Sequence, residues 1–148
     1  MHKFLKNKKG FTLIELLVVI AIIALLSSVT LAALKSARDK GGNSQIKADL
    51  NSIRSQAPLY YNSSANVNNN FNGFCTSSKL SDPPGVSEII TSLQTVVGAG
   101  NVSCNNAGQN WAASALLKTP QGAFNYWCVD NSGVSKGEAG ALAGTSCL

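Results

Sequence analysis

A chain of 148 residues has room for one domain, and part of it is too apolar to belong to that domain's core, so the globular portion must be small. The formal charge of +5 points first to a nucleic-acid partner, but four of the twelve basic residues are Lys3, Lys6, Lys8 and Lys9. Beyond position 10, eight basic residues face seven acidic ones and no basic run interleaved with aromatics remains, so no dedicated nucleic-acid surface is indicated.

The first element in chain order is the apolar run FTLIELLVVIAIIALLSSVTLAAL, residues 11–34, which holds a single charge. As a helix its 24 residues reach ~36 Å, against a hydrocarbon core of about 30 Å. The lysines before it and the sparse charge after it direct the N-terminus to the cytoplasm and everything from Lys35 onward outside.

Three readings compete for this segment. It could be a secretory signal cut near Thr30-Leu31-Ala32, or a signal anchor that is never cut. Neither gives any purpose to Glu15, whose carboxylate costs up to ~2.5–3.5 kcal/mol at mid-membrane. The third reading does. The run KKGFTLIE, Lys8 to Glu15, resembles the leader junction of type IV prepilins and of the pseudopilins of type II secretion. The resemblance implies that a prepilin peptidase cuts between Gly10 and Phe11 and methylates the new Phe11 amine. It also implies that Glu15 attracts the terminal amine of a neighbouring subunit during filament assembly. Opposite charges in a dry helix bundle attract strongly and offset each other's desolvation.

Past the membrane segment, Ile46, Leu50, Ile53, Ala57 and Tyr60 recur at helical spacing, with Lys47, Asp49, Asn51 and Arg54 on the polar side. The pattern predicts an amphipathic helix whose apolar stripe carries a small sheet. Residues 11–61 are therefore expected to form one long helix, and ADLNSIRSQAPLYYN, Ala48 to Asn62, resembles the corresponding stretch of pilins and pseudopilins. Gly41-Gly42 marks either a bend or local melting, or else a loop between two helices, since each glycine costs ~1 kcal/mol relative to alanine. Pro58 should kink the last turn.

From Asn62 the composition changes. NSSANVNNNFNG, Asn62 to Gly73, reads as a polar loop unable to bury a core. Asp82-Pro83-Pro84-Gly85 reads as a helix start, followed by Ile89, Ile90, Leu93, Val96 and Val97 at helical spacing and a stop at Gly98. Ala112 to Leu117 and Ala123 to Val129 are strand candidates, with a turn at Thr119-Pro120-Gln121-Gly122 and another at Asp130-Asn131-Ser132-Gly133. Gly137 to Leu148, rich in glycine and alanine, gives no clear pattern.

The four cysteines, Cys75, Cys104, Cys128 and Cys147, lie beyond the apolar segment and form no C-x-x-C pair. With His2 the only histidine, a zinc site is not expected, and an even cysteine count outside the cytoplasm fits two disulfides. Four cysteines permit three pairings. Pairing sequence neighbours gives Cys75–Cys104 and Cys128–Cys147, and the second would resemble the C-terminal disulfide loop of many pilins.

The expected fold is α+β: a long N-terminal helix, membrane-spanning in its first half, packed on a small antiparallel sheet and stapled by disulfides. Three segments follow: a cleaved leader at 1–10, the helix at 11–61 with 11–34 transmembrane, and an extracytoplasmic globular part at 62–148. No catalytic role is expected. The acidic residues Asp82, Glu88, Asp130 and Glu138 show no paired motif, Gly98-Ala99-Gly100 lacks the remainder of a dinucleotide loop, and no cofactor is implied. Asn62-Ser63-Ser64 and Asn101-Val102-Ser103 match the N-glycosylation sequon, a pattern short enough to arise by chance.

Within the resemblance, a pilus subunit for adhesion, motility or DNA uptake competes with a secretion pseudopilin. Major pseudopilins carry a calcium site near the C-terminus, whereas the tail here has only Glu138 after Asp130, too few carboxylates for one. That favours a pilus. A membrane-anchored binding module that never polymerises is the rival from another class. The partners implied are further copies of the chain, minor pilins, the prepilin peptidase, an inner-membrane platform protein and an assembly ATPase. Membrane lipid surrounds the helix before assembly. The expected location is a single pass of the cytoplasmic membrane, N-terminus cytoplasmic, followed by an extracellular or periplasmic filament.

Overall fold

The computed structural model describes residues 10–64, 66–76 and 85–148. The leader before Gly10 and the Asp82–Pro84 part of the expected helix start lie outside these residues. The chain divides into two units, one reaching to Ala37 and one from Arg38 to Leu148.

Helix α1 runs from Leu13 to Tyr61. Its N-terminal part contains the one stretch among the described residues apolar and long enough to cross a membrane, with mean hydropathy 2.8. The large apolar side chains between Phe11 and Leu34 are exposed by 47–83%. Beyond Thr12 and Glu15 the polar interruptions are Ser27, Ser28 and Thr30, and each hydroxyl donates to a helix carbonyl three or four residues back, at 2.7–3.0 Å. Satisfied in this way, they are tolerable in hydrocarbon.

In the second unit the apolar stripe of α1 forms the core's spine. Ile46, Leu50 and Ile53 are fully buried, with Ala57 and Tyr60 nearly so. Each of the three aliphatic side chains contributes on the order of 1.5–3 kcal/mol by leaving water. They pack on Ala113, Ala115, Leu117 and Val129 of a sheet. The sheet is an antiparallel meander of β1 (Val102–Ala107), β2 (Asn110–Gln121), β3 (Phe124–Asp130) and β4 (Ser135–Glu138), in that spatial order. Helix α2 (Ser87–Val97) adds buried Ile89 and Leu93 and stops at Gly98, whose φ of 94° favours glycine.

Four points of the sequence reading are settled or corrected by the fold. At Gly41-Gly42 the long helix holds and the rival loop falls, because α1 passes through both glycines without a break. A Cβ on Gly42 would come within 3.0 Å of the Lys118 Cγ, so the glycine admits a β2 side chain against the helix backbone. Next to it, buried Asn43 accepts from the N–H groups of Lys118 and Thr119 at 2.7 and 3.3 Å. Its amide donates to the Thr119 carbonyl and hydroxyl at 2.8 and 3.0 Å. Local glycine propensity loses to this tertiary anchor.

Second, the turn placed at Thr119–Gly122 is tighter. Thr119 and Pro120 lie in β2, and the reversal falls at Gly122, φ 67°. The ladder between β2 and β3 loses register between Leu116 and Gln121, the stretch that holds Pro120, which cannot donate to it. Third, the sequence does not announce β1 or β4: the alternation in VSCNNA stops after four residues, and SKGE has no apolar side chain.

Fourth, the asparagine-rich loop does reach the core. Phe71 within it and Phe74 just after it are buried and stack edgewise or tilted with Tyr60, Tyr61 and Trp111 at ring separations of 5.2–6.4 Å. The asparagines make this possible by satisfying backbone. Asn66 donates to the last carbonyls of α1, at Tyr60 and Tyr61. Asn72 accepts from the Gly108 N–H at 2.9 Å and Asn106 from the Cys75 N–H at 3.1 Å.

Candidate functional site

The N-terminal tip of the described chain is Gly10, Phe11 and Thr12, followed by α1. Gly10 is exposed, and Phe11 is 83% exposed. Thr12 caps the helix: its carbonyl accepts from the Leu16 N–H at 3.3 Å, and its hydroxyl lies 3.3 Å from the Glu15 N–H. Glu15 reaches back and accepts from both the backbone N–H and the hydroxyl of Thr12, each at 2.8 Å. This is a reciprocal capping box, and the T-x-x-E spacing at positions 12 to 15 is the signal that sequence reading could have used for Thr12. The box points the carboxylate at the start of the helix, where backbone N–H groups and the positive end of the helix dipole lie. Phe11, Ile14, Glu15, Val18 and Val19 border one shallow apolar hollow, so Phe11 and the carboxylate share a surface.

The four cysteines are brought together in pairs. Cys75 joins Cys104 and Cys128 joins Cys147, with Cα separations of 5.7 and 5.8 Å, and no cysteine is free. The first bridge ties the asparagine-rich loop to β1. The second lays the C-terminal tail across the face of the sheet opposite α1, where Leu142 and Cys147 pack on Ala112 and Cys128.

Further polar ties hold that tail. The Cys147 N–H donates to Asp130 at 2.9 Å, the Leu148 N–H to Glu138, the Leu142 N–H to the Ser114 hydroxyl at 3.3 Å, and the Asn105 amide to the Gly144 carbonyl at 3.0 Å. Burial acts to raise the Asp130 pKa. The hydrogen bonds from the Ser132 hydroxyl and from the N–H groups of Cys147, Val134 and Ser132 outweigh it and leave the group below the usual carboxylate value.

Cys128, Glu138 and Cys147 are the one metal-type grouping among the described residues. Both sulfurs are spent in the disulfide and one Glu138 oxygen on Leu148, so the grouping is a clasp for the tail.

Residues 5–31 match the prokaryotic N-terminal methylation motif. Over 116 residues the chain is 32% identical to the type IV wide pilus major component PilA4 of Thermus thermophilus, an alignment spanning 78% of this chain and 85% of that protein. No solved structure matches. The motif falls on the capped tip and the exposed apolar helix, and an alignment of that length necessarily runs past α1 into the disulfide-tied sheet unit. The chain belongs to the type IV pilin family.

Proposed function

We propose that this chain is the structural subunit of a type IV pilus-like filament serving adhesion, motility or DNA uptake, and that it catalyses nothing. Cleavage between Gly10 and Phe11 by a prepilin peptidase, with methylation of Phe11, releases a subunit anchored in the membrane by residues 11–34. Further copies, fed by a platform protein and an assembly ATPase, then bundle these helices. The observation that carries the reading is the unclad apolar face of α1 from Phe11 to Leu34 with Glu15 at its tip. Such a face needs either lipid or copies of itself, and only the second offers the carboxylate a partner of opposite charge.

Two observations favour a pilus over a secretion pseudopilus. The relative in Thermus thermophilus is a pilus component by name. Asp130 and Glu138, the carboxylates nearest the tail, are spent on backbone N–H groups of that tail. The test is intact mass or N-terminal sequencing of membrane-extracted protein, together with electron microscopy of sheared material. A mature start at methylated Phe11 and filaments composed of this chain are expected. A start near Ala32 to Leu34 would overturn the reading in favour of a secretory signal, and a protein found only as monomer would favour the anchored binding module.

A further inference from the structure

Between the last turns of α1 and the turn that follows β3 lies an open cleft of about 540 Å³, within the range of small-molecule sites. Its wall is aromatic. The rings of Tyr61 and Phe71 are 5.3 Å apart, and those of Phe71 and Trp111 6.4 Å. Trp111, 1% exposed, borders this cleft from beneath, with its indole nitrogen buried out of reach of solvent.

At the cleft mouth Arg54 donates one guanidinium N–H to the Gly133 carbonyl at 3.0 Å. This bond holds the side chain in place, while the rest of its five-donor fork is available to a ligand. The one carboxylate in the lining, Asp130, accepts four hydrogen bonds from its own loop and tail. Asn62, Asn131 and Tyr61 add polar groups to the lining, and Arg54 is its one cation.

We propose that the cleft binds a carboxylate carried on a ring, the size of one acidic sugar or one aromatic acid. The carboxylate pairs with the Arg54 fork, the geometry in which arginine binds most strongly. The ring lies against Tyr61 and Phe71, close enough to Trp111 for its indole resonance to report the binding. A subunit carrying this site gives its filament a receptor for acidic small molecules or for the acidic units of a surface glycan. The proposal goes beyond the filament reading and does not depend on it.

The test titrates the full chain in detergent micelles with phenylacetate, with methyl glucuronide and with the neutral control phenylacetamide. The two indole N–H resonances are followed by NMR and assigned with Trp127→Phe. The expected result is a saturable, low-millimolar shift of the Trp111 resonance with at least one acid and none of that size at Trp127. Which acid binds identifies the source. Phenylacetamide and the Arg54→Gln variant should each bind about tenfold more weakly. Arg54→Lys, which keeps the charge without the fork, should fall between and guards against misfolding of the first variant. No shift of the Trp111 resonance at about 50 mM acid, or equal binding by acid and amide, or undiminished binding by both arginine variants, would overturn the proposal. Because the titration uses unassembled chain, a failure to form filaments leaves this result standing, and a failure to bind leaves the filament reading standing.

Discussion

Asn43 and Thr119, 76 residues apart in sequence, share three hydrogen bonds through the Asn43 side chain, which also takes the Lys118 N–H. One buried amide thus stands in for a strand partner along the part of β2 where Pro120 interrupts pairing. Lys47, one turn further along α1, reinforces the dock, lying 3.7 Å over the Trp127 ring and donating to Gln121 at 2.7 Å. The helix is therefore fixed to the sheet by polar contacts as well as by its apolar stripe.

Replacing Asn43 with alanine should destabilise the sheet unit by about 2–3 kcal/mol, since backbone N–H groups and a carbonyl would lose their partner where water reaches poorly. Asn43→Asp keeps the acceptor for Lys118 and Thr119 but loses the donors, so it should fall between. Chemical denaturation of the detergent-solubilised chain measures both. Equal midpoints for wild type and Asn43→Ala would show that the anchor carries no weight.

The two helix glycines should respond differently to alanine. At Gly41 the space is open, so the gain of about 1 kcal/mol in helix propensity should appear in full. At Gly42 a new Cβ meets the Lys118 stem at 3.0 Å, and that side chain must shift. Gly42→Ala should gain clearly less than Gly41→Ala or lose stability, and Gly42→Val should lose more. Thermal unfolding of the three variants ranks them.

Much of this architecture could be read in the residues. The stripe from Ile46 to Tyr60 fixed the buried face of α1, and the runs around Ala112 and Tyr126 located the central hairpin. What escaped the reading was held by long-range polar contacts. VSCNNA becomes β1 because Cys75–Cys104 and the full length of the β2 ladder hold it there. SKGE becomes β4 by pairing with β3 between the Asp130–Gly133 turn and the Glu138 clasp. Phe71 and Phe74 were hidden among asparagines whose composition speaks of solvent, although those side chains cap backbone and free the rings for burial. At the tip, T-x-x-E was visible in sequence but was masked by the stronger signal of a charge inside an apolar run.

Alkylation of the native chain without reduction should add no mass, and reduction should expose four reactive sulfurs. Each bridge contributes about 3 kcal/mol on the chain-entropy account. Replacing Cys128 and Cys147 by serine should therefore lower stability by about that amount and expose the C-terminal tail to protease before the rest of the sheet. Limited proteolysis with mass mapping would show a different order of cleavage if the tail were held elsewhere.

Asp130 and Asp49 should push the acid response in opposite directions. The pKa of Asp130 is lowered in the fold, so its contribution is present above the unfolded value of about 3.9 and is lost as pH falls through the lowered folded value. Asp49 is desolvated, one of its oxygens has no partner, and its pKa is raised. Its contribution is present below about 3.9 and is lost as pH rises through the raised value, leaving a cost at neutral pH. Asp130→Asn should destabilise at pH 7 and flatten the loss of stability below pH ~4. Asp49→Asn should be neutral or stabilising at pH 7 and lose that advantage in acid. Denaturant midpoints measured across pH for both variants give the slopes, and parallel curves would refute the assignment.

The role of Glu15 can be separated from its capping function by choosing the substitution. Glu15→Leu removes the charge and the cap together, so a filament defect in that variant is ambiguous. Glu15→Gln retains an oxygen that can accept from Thr12, and glutamine serves in a capping box almost as glutamate does. Thr12→Val does the reverse, deleting the hydroxyl while leaving the carboxylate. Removing the charge also makes the helix cheaper to hold in a bilayer, so Glu15→Gln should insert and lose its leader as wild type does. In an assembled bundle, however, the amine of a neighbouring Phe11 would face a neutral amide. Breaking a buried ion pair from one side costs ~3–5 kcal/mol, a loss repeated at every subunit. Glu15→Gln and Glu15→Leu should therefore accumulate as processed membrane subunit with few or no filaments, while Thr12→Val, short only of a cap worth ~1 kcal/mol, should still assemble. Immunoblots of membrane and sheared fractions with electron microscopy read all three. Wild-type filament yield from Glu15→Gln would show that the carboxylate serves only to start the helix.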